Sequence, residues 1–93
     1  MAIGMGEALV GCIVHYYPRI SVGIVKLTDG EINLGDVIHV QGKRTNFVQP
    51  IDSIQIDHRN VSHADKGRNV GIKLKDRVRN HDQIGVAYGA PSI

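Results

Sequence analysis

Of the 93 residues, 23 are isoleucine or valine, whereas leucine numbers 4 and alanine 5. That imbalance constrains the fold more than any motif in the chain. Branching at Cβ costs side-chain freedom in a helix but suits a pleated, half-buried surface. Eleven glycines break the apolar runs at short intervals, and no segment sustains a helical period. The chain therefore reads as an all-β domain of short strands. Its length admits one domain with one modest core, because so small a chain buries only about 60–65% of the surface it exposes when unfolded. Little is left over for a deep, enclosed active site.

Strand by strand, residues 1–8 are small and glycine-rich and read as a flexible N-terminus, so the folded unit spans 9–93. A first strand covers 9–16. After Pro18 a second covers 20–28, almost wholly apolar or small, as a barrel wall would be. Asp29-Gly30 and Gly35-Asp36 mark turns. A third strand, 37–41, places Ile38 and Val40 on one face and Val37, His39 and Gln41 on the other. The segment 47–57 contains Pro50, which makes its first half an edge or a bulge. A polar crossing, 58–65, leaves room for a helical turn over 61–66. Residues 70–75 alternate Val70, Ile72 and Leu74 against Gly71, Lys73 and Lys75, and 83–88 form the last strand. Six short strands with closely spaced turns predict a small, mostly antiparallel closed β-barrel.

The order of features from Gly23 to Ile84 resembles the second domain of translational GTPases, the β-barrel domain of elongation factor Tu and its relatives. The residues that carry the likeness are Gly30-Glu31-Ile32-Asn33-Leu34-Gly35-Asp36, the Ile38/Val40 strand ending at Gly42, Ser53-Ile54-Gln55-Ile56, then Val61, Ala64 and Gly67, and finally Asn69-Val70-Gly71-Ile72-Lys73-Leu74. The resemblance implies a six-stranded barrel of the translation-factor type and a non-catalytic module contacting RNA or the translation apparatus. One departure is His81-Asp82, where that family has Gly-Asp before its final strand. Another is the lack of any Gly-x-x-x-x-Gly-Lys-Ser/Thr loop in the 93 residues, so no GTP binding is expected of them. A similar barrel is also the C-terminal appendage of some collagenase-like peptidases. That likeness implies the alternative function, a protein–protein adaptor equivalent to a barrel normally fused to an enzyme.

Charge and cysteine content narrow the partners. A net charge of +2 is small for a dedicated nucleic-acid binder, so a basic surface must come from placement. The single cysteine, Cys12, cannot pair within the chain and fits a reducing compartment. With no basic, apolar leader at the N-terminus and no long apolar run, the expectation is a cytoplasmic protein without a membrane contact.

The local signal that points to binding is a basic alternation. Lys73, Lys75, Arg77 and Arg79 recur at every second residue. On a continuing strand they would project from one face at steps of about 6.5–7 Å and could follow a phosphate backbone. Arg68 precedes that strand, and Lys43 and Arg44 sit on a hairpin tip, giving seven candidate nucleic-acid contacts. The competing reading is a solvated exterior whose lysines discourage edge pairing. Four aromatic residues supply few stacking platforms for bases. Cys12 and His15 stand at an odd offset, on opposite faces of a strand, and Cys12 reads as a small core residue. His58 and His63, with Asp57 and Asp65 beside them, show no convergence by spacing alone, and a metal needs three or four converging ligands. No catalytic residue, metal site or cofactor is expected.

Overall fold

The computed structural model describes residues 7–87. Ten strands follow in chain order: β1 (Glu7–Tyr17), β2 (Val22–Leu27), β3 (Ile32–Asn33), β4 (Val37–Gln41), β5 (Asn46–Pro50), β6 (Ile54–Ile56), β7 (Arg59–Val61), β8 (His63–Ala64), β9 (Asn69–Lys73) and β10 (Gln83–Ala87). No helix occurs among the described residues. The all-β, antiparallel expectation holds, while the count of six does not. β3, β7 and β8 run only two or three residues, too short to leave an alternation in the sequence. The crossing 58–65 holds β7 and β8 where a helical turn was expected. Residues 47–57 hold β5 and β6, separated by 51–53. Residues 1–6 of the expected flexible segment, and Tyr88 at the end of the last strand, lie outside the described residues, whereas Glu7 and Ala8 already belong to β1.

Eight strands form one sheet in the order β5-β4-β10-β1-β2-β9-β6-β7, and β3 pairs with β8 in a separate ladder. All the pairings are antiparallel. The sheet is open, because its outermost strands β5 and β7 do not pair with each other. This corrects the closed barrel, and Pro50 and Gln49 show why. Ile51 donates its N–H to Asp36 across the β4–β5 ladder at 2.8 Å. Alternation then turns the backbone of Pro50 away from β4, toward the free edge. Proline has no N–H to offer a further strand there, which is the usual condition for proline in a sheet. The edge is instead tied by a side chain. Gln49 is 6% exposed, its Nε2 donates to the Lys73 carbonyl at 3.0 Å and its Oε1 accepts the Lys75 N–H at 2.8 Å. One amide thus joins β5 to the chain leaving β9.

Curvature enters through β1, which pairs with β10 on one side and β2 on the other. Its register slips between Leu9 and Gly11 and again between Ile13 and His15. Each slip inserts one residue on β1, which bends and twists the strand. The concave side holds one core in which Ile13, Leu27, Ile32, Ile38, Ile51, Ile54, Ile72 and Ile84 are at most 1% exposed. Each such side chain contributes about 1.5–3 kcal/mol of burial. Gly23 lies under this core, and a Cβ there would stand 2.6 Å from a Leu74 methyl carbon. Ile20 departs from the expected second strand. It occupies the β1–β2 turn, is 58% exposed, and precedes Ser21, whose φ of 57° ends the extended run.

Three turns repeat one geometry. Residues 33–36, 65–68 and 79–82 each close with a hydrogen bond from the fourth N–H to the first carbonyl, at 3.1, 3.2 and 3.1 Å. The third residue is left-handed in each: Gly35 at 89°, Gly67 at 97° and His81 at 76°. These are the hallmarks of a type II turn. Asp57 and His58, both with positive φ, make the two-residue hairpin turn between β6 and β7.

Candidate functional site

All seven candidate cations are exposed, but they do not form one stripe. β9 ends at Lys73, and the chain bends at Lys75 and Asp76. Leu74 and Val78 are buried four residues apart, with three exposed residues between them, so the two-residue period stops. The Leu74 N–H still bonds the Ser21 carbonyl at 2.8 Å, the last in-register rung against β2, and the left-handed Ser21, with φ of 57°, ends the partner strand there. Lys75 instead places its ammonium 5.9 Å from the centre of the Phe47 ring. Arg68 lies elsewhere, beside β6 and β7 with Arg59 and Asp57.

The fold does unite the two ends of the candidate set. β10 lies beside β4 with Gln83 opposite Gln41, and that register sets the loop 42–45 against the turn 79–82. Between them is an open groove of about 720 Å³, lined among others by Lys43, Arg44, Arg79, Asn80 and His81. Asp82 forms its floor at 5% exposure. One oxygen of its carboxylate accepts the Arg79 N–H at 2.9 Å, and the other lies where a Cβ on Gly42 would collide with it. Gly42 therefore lets the loop close down on the Asp82 carboxylate. Asn80 and His81 were not among the expected contacts. The signal for His81 was present in the sequence as the His-Asp pair standing where the two other such turns carry glycine.

His39 is not a plain outward histidine. Its side chain is 17% exposed and bridges three strands. Nδ1 lies 2.7 Å from a Glu7 oxygen on β1, and Nε2 lies 2.6 Å from Oδ1 of Asn46 on β5. Glu7 reaches it across β10 because Gly85 has no side chain; a Cβ there would be 3.3 Å from the Glu7 carboxylate. The Asn46 acceptor raises the His39 pKa, burial lowers it, and the bond to Glu7 together with its negative charge raises it again. The net result is a value above that of an ordinary histidine.

His63 is held in a similar way. Nδ1 lies 2.6 Å from Asn33 Oδ1 and Nε2 lies 2.6 Å from Asp65. Glu31 completes an exposed group of three whose ligand atoms lie within 4.8 Å of one another. The expected neighbour His58 is not part of that group; it sits in the β6–β7 turn. Cys12 is half-buried and is not one of the core residues, contrary to its reading as a core residue.

No protein-family profile matches the chain. An uncharacterized protease of Methanocaldococcus jannaschii is 37% identical over 76 residues, which is 81% of this chain. A collagenase of Porphyromonas gingivalis is 30% identical over 79 residues, or 84% of this chain. The chain spans only 18% and 22% of the lengths of these relatives. Among solved structures, the C-terminal domain of a Geobacillus thermoleovorans protein assigned as a U32 peptidase superposes with a TM-score of 0.77 at 19% identity. That match covers 92% of this chain and 98% of the domain. The fold is that of a U32 peptidase C-terminal domain.

These findings overturn the likeness to the second domain of translational GTPases, since the sequence and structural matches both lie with peptidases. The reason is physical. Gly35-Asp36, Gly67 and the alternating Ile38/Val40 and Val70/Ile72 are turn formers and inward-facing residues. Any small, strongly curved antiparallel sheet needs such residues at such intervals. They carry architecture, and no RNA contact of an elongation factor comes with them.

Proposed function

We propose that this chain is the accessory, non-catalytic domain of a U32-type peptidase system and acts by binding. The observation that carries the reading is the end-to-end correspondence with an isolated peptidase C-terminal domain. The sequence likeness to a collagenase and a protease supports it. The chemistry of the paired histidines points the same way. Both ring nitrogens of His39 and of His63 already face oxygen acceptors. An imidazole held so serves as a cross-link between strands, with no nitrogen left over to take a proton from a nucleophile.

A domain exchange tests this. The region of the Porphyromonas collagenase that this chain matches is deleted or replaced by this chain, and gelatin hydrolysis is measured for the intact, deleted and exchanged proteins. The deletion should lose activity, the exchange should restore a substantial part of it, and the isolated chain should cleave nothing. Gelatin hydrolysis by the isolated chain, or an exchanged protein no better than the deletion, would overturn the reading.

A further inference from the structure

The groove between the loop 42–45 and the turn 79–82 collects charge from two segments far apart in sequence. Lys43 and Arg44 approach from one side, Arg79 and His81 from the other. Among the described residues lining it, Asp82 is the one carboxylate, and it is 5% exposed and committed to the Arg79 backbone at 2.9 Å. Lys43, Arg44 and Arg79 outnumber that single carboxylate, so the groove keeps a net positive charge at its mouth. Two guanidinium groups offer planar forks of N–H donors that match phosphate oxygens in pairs, and the lysine adds a mobile point charge. Asn80 supplies a neutral amide beside them.

The backbone adds a second observation. In the two sister turns the left-handed position is glycine, at Gly35 and Gly67. Only the turn that lines this groove carries a side chain there, His81 at 76°. A residue with a Cβ is uncommon in that region, so this turn keeps an imidazole at the groove against its local preference, a combination typical of functional sites. From the basic side chains and this placement, we propose that the groove is a binding site for a phosphate group, with Arg44 and Arg79 gripping its oxygens and Lys43 and His81 completing the ring. At about 720 Å³ the groove holds more than a bare phosphate, within the usual range of about 300–1,000 Å³ for ligand sites. The phosphate accordingly arrives attached to a larger group, either a free phosphomonoester or a nucleic-acid backbone. The site is independent of the accessory-domain reading.

The test follows backbone amide resonances of the isotope-labelled full chain during titration with adenosine monophosphate, with a mixed-sequence single-stranded RNA of about twelve nucleotides, and with an oligoglutamate peptide. The expected shifts cluster at 42–45 and 79–83. Arg44→Gln/Arg79→Gln should weaken binding at least tenfold while leaving the rest of the spectrum in place. His81→Gly should weaken binding too, with an unchanged or higher melting temperature, because glycine suits that turn. If the phosphate sits on a nucleic-acid backbone, RNA binds more tightly than the mononucleotide, and three contacts give a log–log salt slope of about −2. If the source is a free phosphomonoester, the mononucleotide binds at least as tightly as the RNA. Shifts elsewhere in the sheet, no binding of either phosphate probe, affinity unchanged in either variant, or an oligoglutamate that outcompetes both phosphate probes would each overturn the proposal.

Discussion

Gln49 offers a sharp test of how the sheet is held, because a single amide ties the edge strand β5 to the chain leaving β9. Replacing it with alanine removes the bonds to the Lys73 carbonyl and from the Lys75 N–H. Each such bond is worth about 1 kcal/mol net, and a buried group left without a partner costs about 1–3 kcal/mol. Gln49→Ala should therefore destabilise by about 2–4 kcal/mol. At about 4–8 °C per kcal/mol for a domain of this size, the melting temperature should fall by roughly 8–32 °C. Gln49→Glu separates hydrogen bonding from packing. Near neutral pH its carboxylate can still accept from Lys75 but cannot donate to Lys73, and its charge is poorly solvated. Protonated, it regains the donor. Burial of the charge raises the folded carboxyl's pKa above its unfolded value, so the penalty relative to wild type should shrink as pH falls toward about 4, the unfolded carboxyl range, and change no further below it. Thermal and urea unfolding of the three proteins across pH measures this, with amide exchange at Lys75 as the local readout. A Gln49→Ala cost under about 0.5 kcal/mol, the level of an ordinary surface substitution, would refute the reasoning and show that other contacts close the edge.

Four further outcomes are expected. His39 has a folded pKa above its unfolded value, so its contribution is fully present below the unfolded pKa and is lost as pH rises through the folded one. Unfolding titrations should show that loss, and Glu7→Gln or Asn46→Ala should diminish it; an unaltered pH profile in both would count against the three-strand bridge. Ile72→Ala, at a fully buried position, should cost about 2–5 kcal/mol, while Lys73→Ala next to it stays within about 0.5 kcal/mol; equal costs would mean the register of β9 is wrong. Thr45 is 4% exposed with its hydroxyl unpaired among the described residues, so Thr45→Val should be neutral or gain up to about 1 kcal/mol, and a comparable loss in urea unfolding would reveal an unseen partner. Gly35 has φ of 89° and open space around its Cα, so Gly35→Ala should cost only the roughly 1–2 kcal/mol of left-handed backbone, whereas Gly42→Ala should cost more because its Cβ meets the Asp82 carboxylate; calorimetry that ranks them the other way would contradict the packing of the loop on Asp82.

What could be read from the residues alone were properties set by neighbours in the chain. Isoleucine and valine at alternate positions imposed β4 and β9, since strand geometry sends successive side chains to opposite faces. Pro50 marked an edge because a missing N–H has the same consequence in any sheet. Gly35 and Gly67 announced turns through the dihedrals that only glycine takes freely. The basic alternation from Lys73 to Arg79 misled because it assumed the strand went on; its partner β2 begins only at Val22, after the left-handed Ser21, fifty-odd residues away in sequence, and the ladder stops with it. The same holds for what the tertiary structure alone decided. How the β5 edge is tied depends on where Gln49 meets Lys73 and Lys75, and His39 gains its raised pKa from Glu7 and Asn46 on other strands. Lys43, Arg44, Arg79 and His81 share a groove only because Gln83 pairs with Gln41. Such encounters follow from strand order and register, which depend on how all the apolar faces are buried at once, and no local pattern of residues encodes them.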